Sequence, residues 1–167
     1  SRIAEAVKLR NTGSLNDPWH TTFLITYRPN VMLDYAVSGD ITGMDPYPIY
    51  AEPGHYSIRT VKTFSDLCAD TGLPFWMIPQ AFAWSNTLGA HEVEKFKKSH
   101  IPTQDELDAM PLLCAISGAR GFVFYGTHYI LIRPEKILPG AGKEQWNRIC
   151  KTAELLKWMD PYIMCEK

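Results

Sequence analysis

Four short β-rich runs, each followed by a stretch of helical periodicity, constrain this chain more than any other feature. They lie near residues 22–27, 40–45, 74–79 and 121–125. Strands that alternate with helices over short connections pair in parallel, because right-handed crossovers permit little else. The third run, Pro74-Phe75-Trp76-Met77-Ile78-Pro79, is apolar on both faces, as a strand buried between layers must be. It then changes character at Pro79, giving Gln80, Phe82 and Trp84: an amide and two large rings. A parallel α/β sheet delivers such side chains to a site beyond its carboxyl edge. The alternative is a loop that merely packs back on the core.

The helical stretches are read from spacing and punctuation. Arg2 to Arg10 carries Ile3, Ala6 and Val7 on one face, and Val31 to Val37 forms a short second helix. Tyr56 to Asp70 places Ile58, Val61, Phe64, Leu67 and Cys68 at helical intervals. Ser85 to Ile101 reads as a surface connection with a short helical piece and a solvated Lys95–Lys98 run. Thr103 and Glu106 have the spacing of a capping box, opening a helix that Gly118 stops. Pro111 inside it predicts a kink or a local break. The last helix runs from about Glu144 to Trp158, before Asp160-Pro161 breaks it.

Two architectures fit: an open doubly wound sheet, or part of a (β/α) barrel. The open sheet usually carries a Gly-rich phosphate turn after its first strand, whereas here the turn is Tyr27-Arg28-Pro29-Asn30, and no G-x-G-x-x-G cofactor motif occurs. The barrel predicts function at successive strand ends. Those ends read Tyr27-Arg28, Asp45-Pro46-Tyr47, Gln80 to Trp84, and Tyr125 to His128. A complete (β/α)8 TIM barrel needs about 250 residues and eight strands. The 167 residues supply four βα units, so the expected fold is a single domain over residues 1–167, half a barrel. Its inward side chains, such as Leu24, Ile78 and Val123, would face no opposite wall.

Other classes are set aside. Seventeen Lys and Arg against 18 Asp and Glu leave no basic field for nucleic acid or an anionic membrane. No run approaches the ~18 apolar residues of a membrane helix. Cys68, Cys114, Cys150 and Cys165 are widely spaced, and His20, His55, His91 and His100 show no ligand spacing, so no metal or disulfide framework is expected. The start of the chain has neither an initiator Met nor a signal-peptide layout, as expected for part of a longer protein.

Asp40-Ile41-Thr42-Gly43-Met44-Asp45-Pro46-Tyr47-Pro48-Ile49 resembles the D-x-x-G-x-D-P-Y-P-I strand of (β/α)8 glycoside hydrolases of the broad β-galactosidase-like clan. Pro74 to Trp84 is similar to the P-x-W-x-x-x-Q-A-F-x-W strand of its less characterised members. Pro102-Thr103 to Met110, followed by Gly118 to Tyr125, resembles their P-T-x-x-E-L-x-x-M … G-A-x-G-x-x-x-Y unit. In the clan these are barrel strands five to eight, which implies a sugar-processing barrel completed by an N-terminal half or, failing that, by a second copy of the chain. The resemblance also implies a nucleophilic Glu at the end of strand seven, where this chain has Gln80, and an acid/base Glu on strand four, outside it. An amide cannot form a glycosyl-enzyme ester, although it hydrogen-bonds sugar hydroxyls well.

The candidate catalytic residues are therefore Asp45, alternatively a loop-ordering acceptor, and Glu52. Candidate substrate-binding residues are Tyr27, Arg28, Tyr47, Gln80, Phe82, Trp84, Tyr125 and His128. The rings could stack on sugar C–H faces or close the core. Arg28 could take a substrate carboxylate or pair with Asp45, and His128 could donate a proton. Two functions follow: a glycosidase-like barrel sharing catalysis with its missing half, or a non-catalytic carbohydrate-binding or assembly module.

Overall fold

The computed structural model describes residues 21–50, 57–87 and 93–165, so the expected helix over Arg2–Arg10 and the candidate Glu52 lie outside the described residues. The fold is mixed α/β around a four-stranded parallel sheet. Its strands are β1 (Phe23–Thr26), β2 (Ile41–Met44), β3 (Phe75–Met77) and β4 (Gly121–Phe122), hydrogen-bonded in that order. All three pairings are parallel, with Ile25 beside Gly43, Gly43 beside Trp76 and Trp76 beside Gly121. A doubly wound sheet reverses its strand order at a switch point; these four strands show no reversal. When every crossover is right-handed and the strands advance one way, the connecting helices fall on one face.

Burial follows that rule. Thr42, Met44, Phe75 and Met77 are buried on one face, in a core with Val61 and Cys68 of α2 (Arg59–Ala69) and Leu107, Met110 and Cys114 of α5 (Gln104–Ile116). The opposite face carries Ile25, Trp76 and Val123, exposed by 46%, 36% and 38%, with Tyr27 and Tyr125 at its upper rim. The register corrects one expectation. Leu24 shares a row with Thr42 and Phe75 on the helix side, and Ile25 takes the open face instead. A slip of one residue in reading a strand exchanges its faces. Large rings lean over small neighbours on this open face. A Cβ on Gly43 would stand 2.7 Å from the Phe23 ring and 2.4 Å from the Trp76 carbonyl oxygen; one on Gly121 would stand 2.6 Å from the Trp76 indole.

The helices extend further than their prolines suggest. A 3₁₀ turn (Pro29–Val31) leads into α1 (Met32–Ala36). α5 opens with the expected capping box: the Thr103 hydroxyl accepts from the Glu106 N–H, and the Glu106 carboxylate accepts from the Thr103 N–H at 2.9 Å. It then runs unbroken through Pro111, which is buried in the core, so packing offsets the missing backbone bond. α7 (Ala141–Ile163) also continues past Pro161, which is exposed and two residues from its end, the Arg120 guanidinium holding the Ile163 carbonyl. Between them lie α3 (Trp84–Thr87), α4 (Val93–Lys98), a turn of π-helix (His128–Ile132) and α6 (Arg133–Ile137). Lys97 is exposed and paired with Glu94. Among the described residues no helix is long and apolar enough to cross a membrane, and no group of His, Cys, Asp and Glu could hold a metal.

Candidate functional site

The carboxyl ends of β2 and β3 are tied together by one side chain. Pro46 and Pro48 stiffen the segment after β2, since each fixes its own φ and restricts the preceding residue. Gln80 then clamps it. Its Oε1 accepts from the Ile49 N–H at 2.8 Å, and its Nε2 donates to the Ile49 carbonyl at 2.8 Å and the Phe82 carbonyl at 2.9 Å. The side chain is fully buried and both its N–H donors are spent. Gln80, expected among the substrate-binding residues, spends its amide on the backbone of the segments after β2 and β3 and ties them together.

Around this clamp the aromatic residues converge. A hollow of about 520 Å³ is lined by Ile25, Asp45, Tyr47, Ile78, Phe82, Trp84, Val123, Tyr125 and Tyr129. Phe82 is buried at its centre, 5.0 Å from Tyr47, 5.3 Å from Trp84, 6.4 Å from Tyr125 and 6.2 Å from Tyr129 between ring centroids. Tyr47 and Tyr125 lie 27° from parallel, and Tyr50 lies 11° from parallel with Trp84. A second hollow of about 420 Å³ adjoins the first, sharing Asp45, Tyr47 and Trp84 and adding Tyr27, Tyr50 and Phe64. The parallel sheet explains the convergence, since successive strands end on one rim.

Asp45 sits where the two hollows meet. One carboxylate oxygen, Oδ1, is buried without a hydrogen-bond partner. Burial raises the Asp45 pKa above the ordinary carboxylate value, outweighing the opposing influence of its own backbone N–H and of the nearby Tyr47 hydroxyl. The Tyr47 hydroxyl is likewise held above its usual range by burial, reinforced by the adjacent Asp45 charge. No second carboxylate lines either hollow among the described residues.

Two predicted residues stand apart. Arg28 is exposed and donates from Nε to the neighbouring Tyr27 hydroxyl at 3.1 Å, instead of pairing with Asp45. His128 is exposed outside both hollows, its Nε2 accepting from Arg133 Nε at 3.2 Å and its ring edge-on to Tyr129. Tyr129 and Tyr50 were missed by sequence reasoning. Tyr129 stands four residues after Tyr125, and the intervening Gly126, at φ +85°, turns the chain so that both rings reach the hollow. The i, i+4 pair of tyrosines around a glycine was the available signal. Asn86 and Arg133 hold that segment in place, Asn86 Nδ2 donating to the Tyr129 carbonyl at 2.9 Å and Arg133 to the Asn86 carbonyl at 2.7 Å.

No protein-family model, no curated protein and no solved structure matches the chain.

Proposed function

We propose that this chain is the carbohydrate-binding half of a (β/α) barrel of the TIM type, and that it binds saccharides without hydrolysing them by itself. The observation that carries the reading is the hollow of five aromatic rings around Asp45, at the carboxyl edge of a sheet whose order never reverses. Aromatic faces suit the C–H faces of sugar rings, and a carboxylate suits their hydroxyls. The bare face opposite the helices suits a barrel interior, and among the described residues β1 and β4 each pair with one strand.

Hydrolysis by the chain alone is disfavoured on chemical grounds. Retaining and inverting glycosidases flank the scissile bond with two carboxyl groups. The described hollows present one, Asp45, and the position where the clan places a nucleophile holds Gln80, turned away into the protein. A glycosidase-like reaction would need a second carboxylate from outside the described lining, from Glu52 or from a wall that completes the barrel.

Titration calorimetry against a panel of oligosaccharides tests the binding. Trp84→Ala should weaken it by about 1–3 kcal/mol, the usual worth of burying an aromatic face. Unchanged affinity in a variant that keeps its circular dichroism would return Trp84 to a purely structural role.

A further inference from the structure

We infer that the preferred ligand of this site carries a positive charge: an amino sugar with a protonated amine, rather than a neutral or acidic saccharide. The inference rests on the carbohydrate reading above and adds the charge of the ligand to it.

The composition of the lining carries it. Of the described residues lining the two hollows, Asp45 is the only acidic group, and none is Lys, Arg or His. The other polar side chains lining them include the hydroxyls of Tyr27, Tyr47, Tyr50, Tyr125 and Tyr129, none of them a cation. Two guanidiniums on the segments that form the rim are engaged elsewhere. Arg28 turns to Tyr27, and Arg133 packs 5.0 Å from the Tyr129 ring centre while donating to the Asn86 carbonyl. The site is thus negative in two senses, through one carboxylate and through the faces of its rings.

Each ligand class meets that field differently. A uronic or phosphorylated sugar would bring a second anion to a half-buried carboxylate with no lining cation to compensate. A neutral sugar can donate a hydroxyl hydrogen bond to the Asp45 carboxylate but leaves the charge unbalanced. A protonated amine answers both features: it gives that carboxylate a charge-assisted hydrogen bond and lies within reach of several ring faces. Because the two hollows share Asp45, a saccharide of two or more rings would lay its amine there and rest one ring on either side.

Calorimetry with four probes tests this: a β-linked glucosamine trisaccharide, its N-acetylated form, the glucose analogue and tetramethylammonium. The amine trisaccharide should bind about tenfold more tightly than the other two saccharides, and Asp45→Asn should abolish that preference while keeping weak binding of all three. Equal affinity for the three saccharides overturns the charge inference and leaves carbohydrate binding standing. A preference that survives in Asp45→Asn also overturns it, as non-specific attraction. Binding of tetramethylammonium with no saccharide binding supports the cation site and sinks the carbohydrate reading, and no binding of any probe sinks both.

Discussion

Gln80 and Ile49 exchange two hydrogen bonds of 2.8 Å, the side-chain amide pairing with the backbone as a neighbouring strand residue would. The arrangement needs an amide, because one end must accept and the other donate. A carboxylate here would face the Ile49 and Phe82 carbonyls with no hydrogen to offer, and would be fully buried.

Gln80→Glu is therefore expected to destabilise the fold rather than create a nucleophile. Leaving buried carbonyls unpaired costs about 1–3 kcal/mol each, and the buried charge adds to that. Urea denaturation should show a midpoint well below that of the parent, with no gain of glycosidase activity. A variant of unchanged stability would mean that the clamp is not holding the loop after β2.

Asp45 gives a pH dependence whose sign is fixed by its burial. Its folded pKa lies above the ordinary carboxylate value, so in the interval between the two the folded state binds more protons than the unfolded chain. Its contribution to stability is most favourable below the unfolded pKa and declines as pH rises through the folded one. Asp45→Asn should then be more stable than the parent at pH 7, with the difference closing as the pH falls below about 4. Thermal melts across that range check it; a variant less stable at pH 7 would reverse the assignment.

The thiols divide into two classes. Cys68 and Cys114 are buried in the core, where burial pushes both pKa values up to about 12, whereas Cys150 and Cys165 are exposed. The thiolate is the nucleophile, so a buried thiol of raised pKa is inert. Iodoacetamide at pH 8 should label Cys150 and Cys165 in the native protein and reach Cys68 and Cys114 only after unfolding. Peptide mapping by mass spectrometry reads the outcome, and native labelling of Cys114 would contradict the described core.

Gly43 and Gly121 both underlie a large ring, but their tolerance should differ. At Gly43 a Cβ meets the backbone oxygen of Trp76, which cannot move without distorting β3. At Gly121 it meets the Trp76 indole, whose side chain is free to swing on the open face. Gly43→Ala should cost upwards of about 2 kcal/mol, in the range of overpacking a well-filled site, and Gly121→Ala distinctly less. Equal losses by chemical denaturation would show that the Trp76 ring is held as firmly as its backbone.

Much of the framework was legible because it rests on local rules. The four strands, the Tyr56–Asp70 periodicity and the Thr103–Glu106 capping box each follow from residue spacing, and the structure places them within a few residues of the expected bounds. What escaped depends on three-dimensional context. Pro111 and Pro161 break helices by local rule, yet both stay within one: Pro111 because core packing outweighs a single lost bond, Pro161 because it falls in the exposed last turn of α7. Leu24 and Ile25 are both aliphatic, so composition cannot say which faces the helices; register does. At the site, Asp45, Tyr47, Phe82, Trp84 and Tyr125 converge because strand ends share a rim, and Tyr27 joins the adjoining hollow. Gln80 and His128 were legible as strand-end polar residues, but whether such a residue points into the hollow or into the protein is decided by loop geometry.

The last prediction concerns the uncovered face of the sheet. Ile25, Trp76 and Val123 are partly exposed apolar side chains on one face of the sheet, and among the described residues the outer strands β1 and β4 each have one unpaired edge. Contiguous apolar surface of several hundred Å² is seldom left open on a soluble monomer, and unpaired edges invite further strands. The described chain should therefore associate, through this face, with the missing half of a barrel or with a second copy of itself. The former fits better, since a barrel's two halves are not equivalent and self-pairing needs edge registers that happen to match. Light scattering on the isolated chain should show a mass that grows with concentration, and Ile25→Asn with Val123→Asn should reduce it by removing apolar area without touching the helix-side core. A chain that stays monomeric at high concentration, unfolds cooperatively and responds to neither substitution would mean that the open face is tolerated as it stands, and the half-barrel reading would lose its physical basis.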